Sequence, residues 1–170
     1  EMRERLLAGA VLGLAGPGKK ISGILPCTVI RPGDMADRVL NREDHPQWQG
    51  ERTKMVYSFP TNEKLWQEYS EVRAQELREE RGIAVATKFY IDNRAAMDEG
   101  GKISWVQRFN PDEASALQHA MNLKIQDEAA FYAEYQNEPL AEAELGEEEL
   151  TVDDIAGKLS GLNRGRAPLG

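Results

Sequence analysis

The chain has 170 residues, of which 41% are hydrophobic and 29% are charged, and this composition is typical of a soluble globular protein. Its formal net charge of -8 argues against a stand-alone nucleic-acid-binding protein, because an acidic chain gains nothing from releasing counterions on DNA. The single cysteine, Cys27, excludes an internal disulfide and fits a reducing compartment. The longest apolar run, residues 6–15, contains glycines and is too short to span a bilayer.

The first 60 residues predict a mixture of helices and strands. The predicted elements are a helix over residues 2–15, a strand over 20–25 continued as extended chain over 27–31, a helix over 34–41, and a strand over 53–59. Asp34 is a suitable helix cap, because its carboxylate accepts one of the free N–H groups at a helix start. The alternation of Met55, Tyr57 and Phe59 supports the last strand. Proline follows each predicted strand segment, and proline ends regular structure.

Residues 61–97 predict two helices that pack as an antiparallel hairpin. The first helix is capped by Thr61 or Asn62, and the second covers residues 83–97 after a break at Gly82. The apolar positions that predict the buried face of the first helix are Leu65, Trp66, Tyr69, Val72 and Leu77.

The rest of the chain predicts two further helices and an acidic tail. A short extended piece at 103–105 precedes Asn110 and Pro111, a pair that is typical of a helix start. Another helix is expected over 127–137. Residues 138–154 contain no lysine or arginine, and this composition favours a linker.

A glycine-rich segment, residues 13–20, matches part of a phosphate-binding loop. Its sequence fits G-x-x-x-x-G-K but lacks the final Ser or Thr, whose hydroxyl group holds Mg²⁺. A phosphate-binding loop also needs a strand before it and a helix after it. Here a helix is predicted before the segment and a strand after it, so we do not expect it to bind phosphate.

Other reactive side chains do not form a recognisable catalytic pattern. Cys27 with His45 or His119 as its base would form a nucleophilic pair, which needs hydrogen-bond contact and usually a third orienting residue. His119 falls on a predicted amphipathic helix, and His45 precedes a proline in a predicted loop. A small buried cysteine is therefore the expected state. Neither histidine has a second cysteine or histidine near it in the sequence, so we predict no metal site. The residues alone predict an α/β chain with a helical half and no complete active site.

Two segments in the second half carry a paired motif. They are Ser104–Glu113, with the sequence SWVQRFNPDE, and Phe131–Pro139, with the sequence FYAEYQNEP. The pair resembles the large subunit of phage terminase, the DNA-packaging motor. In that family a W-P-E-R-F segment opens a helix, and an F-x-x-E-Y-Q-N-x-P segment closes the region between the ATPase and nuclease domains. Val106 and Gln107 stand where the family has Pro and Glu. Residues 21–34 and 53–60 resemble the family's late ATPase strand, coupling segment and following strand.

The resemblance implies an α/β fold, namely the C-terminal part of a P-loop-type ATPase sheet of few strands with a largely helical second half. Residues 1–60 would be the end of the ATPase core, and residues 61–140 would be its helical region. Residues 141–170 would be an acidic linker to a nuclease domain. The expected chain is therefore an internal piece without the nucleotide-binding loop or the nuclease acids. The parent protein would be an ATPase and an endonuclease, and this piece would be inactive alone.

The same resemblance implies the cofactors and partners of the parent protein. ATP and Mg²⁺ are expected there, without tight binding to this piece. Double-stranded viral DNA, the portal protein and the small terminase subunit are the expected partners of a ring of identical subunits. Assembly in the host cytoplasm, without a membrane, follows from the same reasoning.

The family's coupling segment relays ATP hydrolysis to DNA movement, and by position it corresponds to residues 26–28. The candidate residues are Cys27, Thr28 and Arg31. The Thr28 hydroxyl group would orient the attacking water or sense the γ-phosphate, and Arg31 would stabilise phosphate charge. The alternative is that Thr28 is an ordinary strand residue and Arg31 an ordinary surface residue.

Two other functions fit the sequence. The first is a non-enzymatic adaptor, in which the long helices around Trp66 and Phe89 form a protein-binding face. The second is an independent hydrolase built around Cys27.

Overall fold

The computed structural model describes residues 2–19 and 21–141, with only the backbone described for Arg3, Ala8 and Leu12. Described residues up to Leu140 belong to one compact unit, and a second unit begins at Ala141. The α-helices are α1 (Met2–Arg5), α2 (Met35–Val39), α3 (Glu63–Arg78), α4 (Ala84–Asp92), α5 (Arg94–Met97), α6 (Ala116–Gln126) and α7 (Glu128–Ala130). The strands are β1 (Val56–Ser58) and β2 (Lys102–Ile103).

The predicted helical hairpin is present and carries the first hydrophobic core. Asn62 caps α3, because its side chain accepts the Leu65 N–H at 3.2 Å. Trp66 near the start of α3 donates its indole N–H to the carbonyl oxygen of Met97 at 3.0 Å. The buried residues of this core are Trp66, Tyr69, Ala86, Tyr90 and Met97. The connection between the helices passes through Gly82 at a φ of 74°, a backbone conformation that favours glycine.

A two-stranded antiparallel sheet carries the second core. β1 pairs with β2, and Val56 lies opposite Ile103. The buried residues of this core are Met55, Val56, Ala120 and Phe131. The strand predicted over 53–59 is therefore confirmed over its central part, and the extended piece at 103–105 is confirmed at its first residue.

The strands predicted over 20–25 and 27–31 are wrong. The described residues 21–30 form no regular secondary structure. A strand is stable only when a neighbour satisfies its backbone N–H and C=O groups, and no described segment pairs with this one. The observed fold is thus a mixed helical fold with a small antiparallel sheet, and a P-loop-type sheet is not seen in the described part of the chain.

The helix expected to start at Asn110 starts later. The Glu113 carboxylate accepts the backbone N–H of Asn110 at 2.8 Å and closes residues 110–113 into a turn. Ser115 is the cap of α6, because its Oγ accepts the N–H of Gln118 at 3.1 Å.

The remaining predicted helices are present with altered geometry. The helix over residues 2–15 consists of α1, a π-helical segment Leu6–Val11 and a 3-10 turn Leu12–Ala15. Asp34 caps α2 as predicted and accepts the N–H of Asp37 at 2.9 Å. The helix predicted over 127–137 consists of α7 and a π-helical turn Phe131–Tyr135. None of the described helices has the length and apolar character that a membrane span requires.

Candidate functional site

The two segments of the paired motif meet at one cleft. Its volume is about 300 Å³, close to the lower limit for small-ligand pockets. The cleft is lined by Thr53, Lys54, Met55, Ile103, Ser104, Trp105, Arg108, Glu134, Tyr135 and Asn137. Three parts of the chain therefore build it: the residues before β1, the loop after β2, and the π-helical turn.

The loop after β2 places one aromatic ring and one cation at this cleft. The Trp105 side chain is 59% exposed, which is high for so large an apolar residue. The Arg108 guanidinium lies over the Tyr135 ring, 5.6 Å from its centroid, a distance typical of a cation–π contact. Lys54 at the rim pairs with Glu138 at 2.5 Å. The cleft offers aromatic faces and one cation that is not paired with a carboxylate of the described chain.

Hydrogen bonds from the backbone and from the side chain of Gln136 join the π-helical turn to β1 and to the residue before it. Met55 donates its N–H to the carbonyl oxygen of Tyr135 at 3.0 Å. The side chain of Gln136 accepts the Val56 N–H at 2.7 Å and donates to the Val56 carbonyl oxygen at 2.9 Å. Asn137 follows at a φ of 53°, in the left-handed region that asparagine tolerates better than most residues. The motif residues thus serve as the neighbour of β1 on the side away from β2.

Asn137 extends these contacts to the first part of the chain. Its Oδ1 accepts the N–H of Val29 at 3.1 Å, and its Nδ2 donates to the Thr53 carbonyl oxygen at 2.9 Å. Its own carbonyl oxygen accepts a hydrogen bond from Arg52 at 3.2 Å. The segment predicted to couple hydrolysis to movement is therefore attached to the motif through Val29.

The three coupling candidates lie beside this attachment and not inside the cleft. Cys27 is exposed, and its Sγ lies 3.7 Å from the Leu25 carbonyl oxygen. Thr28 is half-buried and Arg31 is exposed. Their side chains form no hydrogen bond with one another in the described chain.

Among the residues that the structure describes, the glycine-rich segment 13–20 lacks the strand before it and the helix after it that a phosphate-binding loop needs. The 3-10 turn Leu12–Ala15, which is the end of the predicted helix, lies directly before Gly16. The strand predicted to follow is absent from the described residues 21–30. Within the described ranges, no group of three or more histidine, cysteine, aspartate or glutamate side chains is placed to hold a metal ion.

In the described part of the chain, no hydrogen bond joins Cys27 to His45 or His119, as activation of a nucleophilic thiol would require. His119 instead lies with its Nδ1 2.8 Å from Glu113 Oε2.

A buried polar network joins α6 to the helical hairpin, and sequence reasoning missed it. Tyr69 donates its hydroxyl proton to Asn122 Oδ1 at 2.7 Å and accepts the Gln118 amide at 3.0 Å. Asn122 also donates to Glu113 Oε1 at 2.8 Å. Burial raises the pKa of Tyr69, so its hydroxyl group stays protonated and able to donate. The i, i+4 spacing of Gln118 and Asn122 was the signal for a shared polar face.

A second set of hydrogen bonds ties the hairpin to the start of α6. Tyr90 donates to Asp98 at 2.5 Å, and its oxygen lies 2.6 Å from Ser115 Oγ. Burial, followed by the hydrogen bond to Asp98, raises the pKa of Tyr90. Ser115 Oγ also accepts the N–H of Gln118. Since the Tyr90 proton goes to Asp98, Ser115 Oγ donates to the Tyr90 oxygen and accepts from Gln118, and these bonds hold its side chain at the start of α6.

Comparison of the chain with protein-family models, with curated proteins and with solved structures gives no match, so the resemblance in its motifs stays a prediction.

Proposed function

We propose that this chain is part of the large subunit of a phage DNA-packaging terminase. In that protein it would help to couple ATP hydrolysis to the translocation of viral DNA into the procapsid. The observation that supports the proposal is the meeting of both motif segments at one cleft with Thr53 and Met55. Residues that form a motif because of a shared structural role are expected to meet in this way.

The distribution of exposed apolar side chains also supports an internal piece of a larger domain. Among the described residues, half of the exposed large hydrophobic side chains lie between residues 2 and 30: Met2, Leu6, Val11, Leu14, Ile21, Ile24 and Ile30. We take these side chains as a surface that another part of the proposed protein would cover. In the proposed protein the remainder of the ATPase domain would cover these side chains.

The roles of the parent protein's cofactors and partners belong to the same proposal. ATP and Mg²⁺ would bind to a nucleotide-binding loop and a metal-binding acid outside this chain. Double-stranded DNA, the portal protein and the small subunit would be the partners of the assembled ring. Thr28 would sense the γ-phosphate, and Arg31 would stabilise its charge.

Sequencing the DNA that flanks the reading frame tests this proposal most directly. We expect a G-x-x-x-x-G-K-[ST] loop upstream and an aspartate-bearing strand shortly after Gly170. The protein encoded by the longer frame should hydrolyse ATP, and replacing the loop lysine by alanine should abolish hydrolysis. A start codon immediately before Glu1 with a stop codon after Gly170 would overturn the proposal.

A non-enzymatic adaptor is the second candidate, and one observation favours it. The helical hairpin exposes Leu77, Val85 and Ile91, which are 44%, 52% and 53% exposed. Light scattering on the purified chain distinguishes this function, since an adaptor with a self-associating face gives a mass above that of the monomer. Replacing Val85 and Ile91 by glutamate should then restore the monomer mass.

A further inference from the structure

Among the described residues, one hydrogen bond, from the Val29 N–H to Asn137 Oδ1, links residues 21–30 to a distant part of the chain. The other hydrogen bonds of this segment are local: Cys27 Sγ lies near the Leu25 carbonyl oxygen, and Ile30 donates its N–H to Asp34 at 2.8 Å. Val29 is 3% exposed, so water does not compete at its N–H.

Asn137 and the residue before it form hydrogen bonds with three residues near β1. Its carbonyl oxygen accepts from Arg52, its Nδ2 donates to the Thr53 carbonyl oxygen, and the preceding Gln136 is bonded twice to Val56. A displacement of Asn137 therefore either moves Val29 with it or breaks the hydrogen bond between them.

We infer that Asn137 is a positioning residue for the coupling segment, and this inference rests on the function proposed above. By holding the Val29 N–H, the Asn137 side chain sets the position of Cys27 and Thr28, which directly precede Val29. When the residues that follow Asn137 move, this hydrogen bond transmits the movement to Thr28. The residue acts through Val29 and does not itself touch a reacting group.

Two substitutions separate the contacts of Asn137 without forcing its backbone. N137G tolerates the positive φ and removes both side-chain hydrogen bonds. N137D keeps an oxygen that accepts the Val29 N–H, in a stronger charge-assisted form. Its second oxygen replaces the N–H that reaches Thr53 and must turn away from the Thr53 carbonyl oxygen, so that contact is lost. The two variants therefore differ in the contact that the inference needs.

Cys27 is a built-in reporter for this test. It is the single cysteine of the chain and it is exposed, so a nitroxide spin label attaches there without further substitution. In the whole 170-residue chain, we expect N137G to shorten the rotational correlation time of the label several-fold. N137D should leave it as in the unsubstituted chain. An unchanged label in folded N137G, or equal mobility in both variants, overturns the inference.

A matched asparagine controls for general loosening of the fold. Asn122 is buried in the network of Tyr69 and Glu113, so N122A should lower the melting temperature. The label on Cys27 should keep its mobility in N122A. If the label loosens as much in N122A as in N137G, the effect is a general loss of stability and the inference fails.

The longer protein supplies a functional readout that separates this inference from the proposed function. In N137G the length of DNA moved per ATP hydrolysed should fall, whereas N137D should keep the ratio of the unsubstituted protein. An unchanged ratio in N137G overturns the positioning role. A longer protein that hydrolyses no ATP at all overturns the proposed function, while the spin-label result on the chain itself stands.

Discussion

The side-chain amide of Gln136 makes two hydrogen bonds with the backbone of Val56, accepting its N–H and donating to its carbonyl oxygen. A single side chain thus satisfies the N–H and C=O groups of Val56, which a neighbouring strand would satisfy in a larger sheet. Gln136 is 2% exposed and Val56 is 1% exposed. Since water is excluded from both groups, the fold depends on this contact more than on an ordinary surface hydrogen bond.

Replacing Gln136 by methionine tests this dependence. Q136M keeps the length of the side chain but leaves the Val56 N–H and C=O buried without partners. Each unsatisfied group costs about 1–3 kcal/mol, so the loss of both should lower the free energy of unfolding in urea by about 2–6 kcal/mol. The control is Q126M at the exposed end of α6, which should change it by less than about 0.5 kcal/mol. Equal effects of the two substitutions would contradict the role of Gln136.

Replacing Gln136 by glutamate should make the stability depend on pH. A carboxyl group at this buried position has a raised pKa, because burial disfavours its charged form. Its stability contribution is therefore lost as the pH rises above the ordinary glutamate pKa of about 4.3. Below that pH the neutral carboxyl group donates to the Val56 carbonyl oxygen as the amide does. The difference in unfolding free energy between Q136E and the unsubstituted chain should shrink as the pH falls toward 4, and a constant difference would count against this account.

Two residues, Ser115 and Asn110, are candidates for the cap of α6, and substitution of each one distinguishes them. Ser115 accepts the N–H of Gln118 at 3.1 Å, and loss of a serine cap costs about 0.5–2 kcal/mol. S115A should therefore lower the unfolding free energy by at least this amount, since Tyr90 also loses a partner. N110A should change it little, because the side chain of Asn110 is exposed and does not cap the helix. Greater destabilisation by N110A than by S115A would favour the helix start at Asn110 that the sequence predicts.

The parts of the fold that follow from local chemistry were predictable. Trp66 and Tyr69 fall on one face of α3 by helical spacing, and Asn62 and Asp34 cap their helices because their side chains accept nearby N–H groups. Hydrophobic spacing and caps act within a few residues, so the sequence alone shows them.

The remainder depends on contacts between distant residues. Asn110 before a proline is a good cap, but the Glu113 carboxylate takes its N–H into a turn and leaves the cap to Ser115. Val29 has no neighbouring strand and bonds to Asn137, which lies 108 positions later. Of the candidate site, the motif segments were identified from sequence, whereas their meeting at one cleft required the structure.

The hydrogen bond between Tyr69 and Asn122 predicts an energetic coupling between α3 and α6. Y69F leaves Asn122 Oδ1 and one Gln118 N–H with fewer partners, and should lower the unfolding free energy by about 1–3 kcal/mol. N122A should do likewise. In a double-mutant cycle the two losses should not add, with an interaction energy of about 0.5–3 kcal/mol. Simple addition of the two losses would show that the residues act independently.

The pKa of Asp37 predicts a contribution of α2 to stability that depends on pH. The backbone N–H of Gly33, at 2.8 Å, and the Arg52 guanidinium hold the pKa of this carboxyl below its ordinary value. A depressed pKa in the folded state stabilises the fold above the unfolded value, about 3.9 for aspartate, and this contribution is lost as the pH falls through the folded value. D37N should therefore be less stable than the unsubstituted chain at pH 7, and the difference should vanish in acid. Urea unfolding at several pH values measures it, and a difference that persists below the folded pKa of Asp37 would refute the assignment.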